Sequence, residues 1–151
     1  MLSRFHQFSS SIASIYKSIL KIEAMEMERY GLKGSHVQCL LAMEQAGEAV
    51  TGAQLSVLCE KDKAAVSRSL AELEQKDLVT RQSGYRAAVS LTEAGWQVAR
   101  ALEKTAQTAV EMAGGDLTEE NRAMLYHALE QIAVRLREMS VEGVSRTNQK
   151  E

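Results

Sequence analysis

The side chains best placed for chemistry are Lys63, Ala64, Ser67 and Arg68. Spaced at one, three and four residues, they fall on one side of a helix. Small residues let that helix come close to a surface. The first turn of a helix carries partial positive charge and free N–H groups, both suited to phosphate. The Arg68 guanidinium adds bidentate geometry for a guanine edge or a phosphate. A DNA major groove accepts such a helix end. Arg81, Tyr85 and Arg86 follow around Ser83-Gly84. Tyr85 and Arg86 are candidates for backbone or minor-groove contact, and Arg81 either joins them or braces the structure. The bland alternative for each is a solvated face.

The elements that must position these residues lie between Thr51 and Leu91. Thr51 is a good N-cap, and Gln54 three residues later has capping-box spacing. Leu55 and Leu58 offer one apolar face, and this short helix is expected to stop near Lys61. Asp62 is the next N-cap. Val66, Leu70 and Leu73 then form one stripe that must face a core. Val79 and Arg81, then Val89 and Leu91, alternate as strands on either side of a tight Ser83-Gly84 turn. The order is helix, turn, helix and a two-stranded wing.

The run AAVSRSLAELEQKDLVTR followed by VSLTEAG resembles the MarR (multiple antibiotic resistance regulator) family of bacterial transcription factors. The family pattern ends its recognition helix with LE-x-K-G-L-V-x-R and opens a long helix after the wing with LT-x-x-G. Here these are Leu73 to Arg81 and Leu91 to Gly95. The usual Gly before Leu-Val is Asp77. The usual Asp-x-Arg at the wing tip is reduced to Gly84-Tyr85-Arg86, so Arg86 is the one match to the wing arginine. The resemblance covers nearly the whole chain. It implies a mainly α fold with a small β-wing, a winged helix–turn–helix with N- and C-terminal dimerisation helices. It also implies a cytoplasmic homodimer on double-stranded DNA, most often a repressor. Small phenolic or lipophilic effectors would bind between the dimerisation helices and the winged part.

At 151 residues the chain is read as a single domain, 1–151. The winged helix–turn–helix takes about 35–92, and the dimerisation helices about 3–29 and 92–141. No apolar run of about 18 residues exists, so no membrane span is expected. The N-terminus lacks a compact hydrophobic run and a cleavage site, so no signal peptide is expected. The absence of Pro favours long helices. A net charge of −2 does not advertise nucleic-acid binding. From Glu60 to Arg86 six Lys/Arg face five Asp/Glu, so placement rather than amount of charge must carry any phosphate contact.

The rest of the chain is helical in pattern. Phe8, Ile12, Ile15, Ile19 and Ile22 mark a first helix from about Ser3 to Arg29, closed by Gly31. Ser35 with Gln38 has capping-box spacing for a second, buried helix that ends at Ala46-Gly47. Val50 starts a very short strand. Thr92 caps a long helix whose buried side is expected at Trp96, Ala99, Leu102, Ala106, Ala109, Val110 and then Met112 or Ala113. Gly114-Gly115 breaks it. Thr118 starts the last helix, with Leu125, Leu129, Ile132, Leu136 and Met139 on one stripe to about Val141. Such long stripes outside the helix–turn–helix are expected to bury between two subunits.

Tyr16, Met25, Tyr30, His36, Cys39 and Met43 form a Met- and aromatic-rich set that could hold a small apolar or aromatic effector, because methionines adapt to varied shapes. Core packing is the competing reading. His36 and Cys39 have the spacing of a metal pair, but there is no His cluster and no paired-Cys motif, so no metal and no cofactor are expected. Cys39 and Cys59 fit reduced cytoplasmic thiols. No nucleophile stands beside a base, so an enzyme is not expected. The readings left are a dimeric DNA-binding regulator, a helical interaction protein that has lost DNA binding, or a metal-responsive regulator.

Overall fold

The computed structural model describes residues 3–84 and 87–144. The elements run α1 (Arg4–Glu28), α2 (Gly34–Ala46), β1 (Val50–Thr51), α3 (Gly52–Leu58), α4 (Lys63–Gln75), β2 (Val79–Arg81), β3 (Ala88–Leu91), α5 (Glu93–Ala113) and α6 (Glu119–Glu142). They form two compact units, 1–109 and 110–151. None of the described helices is long and apolar enough to cross a membrane.

In the first unit, the Ser3 hydroxyl accepts the His6 N–H and starts α1. Gly31, at φ 64, closes it as the left-handed residue that Gly adopts without a Cβ penalty. The start of α2 differs from the Ser35–Gln38 box. The helix begins at Gly34, and the His36 ring Nδ1 accepts the Lys33 N–H at 3.1 Å. His36 sits at the third helical position and points back, so its imidazole does the capping expected of Gln38. Gly47, at φ 69, ends α2 as expected.

Thr51 and Gln54 close the expected capping box at α3. This helix ends at Leu58 rather than near Lys61. Leu55 is fully buried, but Leu58 is 56% exposed. Cys59, four residues after Leu55, packs on the core in its place, since i and i+4 share a helix face more closely than i and i+3. Glu60, at φ 52, then turns the chain in the left-handed region. Asp62 caps α4 through the Ala65 N–H at 2.8 Å. The stripe Val66, Leu70 and Leu73 is buried, joined by Ser69.

The sheet has the order β1-β3-β2, antiparallel throughout. Val79 faces Leu91 and Arg81 faces Val89. Beyond the paired strand residues, Gln82 N–H donates to the Ala88 carbonyl at 3.0 Å. Tyr85 and Arg86 lie outside the described residues.

Three bonds join the wing to α5. Thr92 Oγ1 donates to the Asp77 carbonyl at 2.6 Å and accepts the Gly95 N–H at 3.0 Å, while Thr92 N–H donates to the Leu78 carbonyl at 3.0 Å. A Cβ on Gly95 would collide with that same Leu78 carbonyl oxygen, so only Gly lets α5 pass so close. Asp77 is left-handed, at φ 57. That conformation accounts for the Gly of the usual pattern, and Asp is among the few other residues that tolerate it. The buried side of α5 is Gly95, Val98, Ala99 and Leu102. The expected extension stops there: Ala106 and Ala109 are half-buried, and Val110 and Met112 are exposed.

The core of the first unit gathers Met27, Leu40, Met43, Leu55, Leu73 and Leu102 between α1, α2, α3, α4 and α5. In the second unit, Thr118 caps α6 by accepting the Asn121 N–H. Arg122 donates to the Gly114 carbonyl across the turn. No described residue of α6 is buried; Leu125, Ile132 and Leu136 on its stripe are exposed.

Candidate nucleic-acid interface

The sequence of α4 divides into two faces. Val66, Ser69, Leu70 and Leu73 hold it to the core. Lys63, Ala64, Ser67, Arg68 and Ala71 are all exposed on the opposite side. Ala64 and Arg68 lie four apart on the outer edge, and Lys63 and Ser67 four apart beside them. Among the described residues neither Lys63 nor Arg68 makes an ion pair.

Lys63, Ser67 and Arg81 come together. With Gly52, Ala53, Val66 and Leu70 they line a depression of about 220 Å³ where α3, α4 and β2 meet. Gly52 and Ala53 were not among the expected residues. Their small side chains just after the Thr51 cap are the signal that could have found them. Arg81 also has a bracing role, because its Nε lies 3.4 Å from Glu74 Oε2. An exposed pair of this kind contributes at most about 1 kcal/mol.

The electrostatics at the start of α4 are mixed. Its first turn offers the positive end of the helix dipole. The Asp62 carboxylate already takes one of those N–H groups, while Lys61 and Lys63 flank it. Anion affinity here therefore comes from the lysines and Arg68 more than from the bare helix end.

A second feature of α4 was not anticipated. His36 is 1% exposed, and its Nε2 lies 2.9 Å from Glu72 Oε2. Because Nδ1 accepts the Lys33 N–H, Nε2 carries the proton and donates it to the carboxylate. Lys33 Nζ lies 3.4 Å from the same oxygen. The Lys33 charge, with the His36 hydrogen bond, holds the Glu72 carboxyl below its ordinary pKa. These contacts fix the middle of α4 against the start of α2.

The six Met- and aromatic-rich positions are not brought together. His36, Cys39 and Met43 belong to the buried side of α2. Tyr16 and Tyr30 are exposed. Met25, 62% exposed, lines a cavity of about 600 Å³ with Ile22, Glu26, Glu28, Arg29 and Thr105. Among the described residues no three His, Cys, Asp or Glu side chains group as metal ligands.

The pair α3 and α4, with one face of α4 left exposed and a β-hairpin wing after it, defines a winged helix–turn–helix fold. Residues 30–87 match the sequence model of the MarR family. That match spans the helix–turn–helix and wing, and the solved structures below share the fold of the chain. No curated protein sequence matches. Solved structures of the same fold include a MarR transcriptional regulator from Methanosarcina mazei Go1, with TM-score 0.80, 19% identity, and 92% of this chain and 94% of that one covered. A MarR-family regulator from Silicibacter pomeroyi gives TM-score 0.70 at 21% identity over 82% and 86% of the two chains. A MarR-family regulator from Listeria monocytogenes, complexed with 26mer DNA, gives TM-score 0.77 at 16% identity over 98% and 96%.

Proposed function

We propose that the protein is a repressor that binds a pseudo-palindromic operator as a homodimer in the bacterial cytoplasm. The observation that carries this reading is the uncovered face of α4, where Lys63, Ser67 and Arg68 are exposed while the opposite side is locked into the core. Ala64 and Ser67 keep that face thin enough to enter a major groove, and Arg68 is long enough to reach a base edge or phosphate. In this reading Arg81, Tyr85 and Arg86 are the wing's contacts to DNA. The match of residues 30–87 to the MarR family model and the DNA complex of the Listeria monocytogenes neighbour support it.

The dimer rests on unpartnered apolar surface. Phe5 is 77% and Ile15 56% exposed on α1. The stripe of α6 is exposed as well. Buried against a second copy, these faces would recover about 25 cal/mol per Å² of apolar area. A two-fold dimer would place two α4 helices at half-sites about one helical turn apart. The effector of this reading is small and apolar or aromatic, and the cavity beside Met25 is its place. It acts by binding one spacing of the α4 helices better than another.

Selection of binders from a randomised duplex library at near-physiological salt tests the proposal. Enrichment of a pseudo-palindrome supports it. One observation favours a second reading, an interaction protein without DNA binding: Glu74 already engages Arg81, and charge in the region is nearly balanced. A folded dimer that enriches nothing would select that reading. A metal-responsive regulator has no ligand set among the described residues.

A further inference from the structure

The connection from α1 to α2 is held from both sides. The Leu32 N–H donates to the Met27 carbonyl at 3.0 Å and so belongs to α1. The next N–H, on Lys33, belongs to α2: it donates to His36 Nδ1 at 3.1 Å, while the Lys33 carbonyl accepts the His36 N–H at 3.0 Å. Two adjacent peptide groups thus answer to different helices, and Lys33 is the joint between them. Its ammonium is committed as well. Lys33 Nζ lies 3.4 Å from the same Glu72 Oε2 that accepts the His36 Nε2 proton at 2.9 Å.

We propose that His36 is a proton-operated latch: the neutral ring holds Lys33 to the start of α2, and a second ring proton, on Nδ1, releases Lys33 while the ring stays bound to Glu72. Neutral imidazole has one donor and one acceptor nitrogen, and both are used here; imidazolium has two donors and no acceptor. Nδ1–H would then meet the Lys33 N–H donor against donor. Nε2–H keeps its carboxylate and becomes half of an ion pair. The new charge also faces the Lys33 ammonium across the one oxygen that both approach, and like charges repel. Backbone and side chain of Lys33 are therefore pushed away by the same event, and α4 is not. The step takes one proton from solvent and breaks only hydrogen bonds. Histidine is the side chain whose ordinary titration lies nearest physiological pH. His6 and His127 are exposed, whereas His36 is 1% exposed.

The charged groups around the ring are few. From α4, the Glu72 carboxylate meets it directly. Lys76, at the end of α4, places its Nζ beside Gly31, 3.8 Å from where a Cβ there would stand. Glu74 is engaged with Arg81, and Lys63 and Arg68 lie on the exposed side of α4. On the last turn of α1, Glu26 pairs with Arg29 and Glu28 is exposed. α3 and β3, which also pack on α2, carry no ionisable side chain. On α2 itself Cys39 is one turn away and Glu44 two. The ring's choice is thus set by Lys33 on one nitrogen and Glu72 on the other.

With Lys33 released, Leu32 stays bonded to α1, and the joint to α2 is freed. α2 and α4 remain linked through His36 and Glu72, so the angle of α1 to that pair is what changes. α1 is a proposed dimer face, so the spacing of the two α4 helices would follow. This consequence for DNA rests on the proposed function; the latch does not.

The full-length protein, labelled with nitrogen-15, is followed by NMR from neutral pH into acid. The proposal predicts that the His36 proton sits on Nε2 at neutral pH. As the ring takes its second proton, protection of the Lys33 amide, corrected for the intrinsic pH dependence of exchange, should fall by about tenfold. The Leu70 and Leu73 amides of α4 should keep theirs. In His36→Asn the side-chain oxygen can accept the Lys33 N–H and does not titrate, so that fall should vanish. Circular dichroism checks that the variant folds, and the native titration judges the latch without it. The proposal is overturned if the neutral ring carries its proton on Nδ1, or if Lys33 protection is unchanged as the ring titrates. It is equally overturned if the ring stays singly protonated until the whole chain unfolds, or if folded His36→Asn shows the native fall. Binding of a selected duplex is read over the same pH span. A several-fold change in native protein that His36→Asn lacks supports the coupling to DNA. Equal profiles overturn the coupling alone. Failure of native protein to bind at neutral pH counts against the proposed function, and leaves the NMR results to judge the latch.

Discussion

His36 Nε2 donates to Glu72 Oε2 across 2.9 Å, from a buried ring on α2 to a carboxylate on the helix proposed to enter DNA. The same ring accepts the Lys33 N–H and so starts α2. One side chain both caps a helix and fixes the pose of another. His36→Ala removes both bonds and leaves a cavity, and is expected to cost about 2–4 kcal/mol by urea unfolding. Loss of less than 1 kcal/mol, roughly the value of an ordinary surface change, would sink this account of the ring.

Glu72 supplies a pH prediction. Its folded pKa is depressed by Lys33 and His36. A depressed carboxyl stabilises fully above its unfolded pKa, and that contribution is lost as pH falls through the folded value. Glu72→Gln should therefore lower Tm at neutral pH, and the gap should close in acid below about pH 4. A gap that stays constant with pH would show that the charge is irrelevant.

Glu44 predicts the opposite sign. Burial, and then Glu103, raise its pKa. The ionised form is therefore disfavoured by folding, and the cost falls as pH drops through the raised value. Glu44→Gln should raise Tm at neutral pH and lose that advantage in acid. A lower Tm at neutral pH would contradict this.

Gly95 and Asp77 test the joint between wing and α5. Gly95→Ala drives a Cβ into the Leu78 backbone and should cost about 2–4 kcal/mol. Asp77→Gly relieves a left-handed φ of 57 and should stabilise by about 0.5–1 kcal/mol. Thr92 bonds to the backbone carbonyl of residue 77, so that contact survives. Destabilisation by Asp77→Gly would mean its side chain matters more than its φ.

Much of this fold is legible locally. The Asp62 cap and the stripe Val66, Leu70 and Leu73 define α4 because cap and periodicity lie within one short stretch. Thr51 with Gln54, and Thr92 before Gly95, were readable for the same reason. The start of α2 was not, since a histidine at the third helical position outranked Ser35 only once Glu72 held its ring from another helix. Leu58 misled because i+3 and i+4 spacing compete in a two-turn helix, and Cys59 won. The candidate site was half legible. Side chain types marked α4, whereas the meeting of Lys63, Ser67 and Arg81 depends on how β2 returns beside α4. The approach of the Cys59 thiol to the Gln38 carbonyl is purely tertiary and left no local pattern.

The most direct measurement is binding of a selected duplex across a salt series, for native protein, Lys63→Ala and Arg68→Ala. If the exposed face of α4 reads DNA, Arg68→Ala should weaken binding about tenfold, a loss within the roughly 1–3 kcal/mol of a good base contact. Lys63→Ala should weaken it across sequences and reduce the salt slope by about 1. Native affinity in both variants, with their fold intact, would contradict the central claim that α4 carries the protein to DNA.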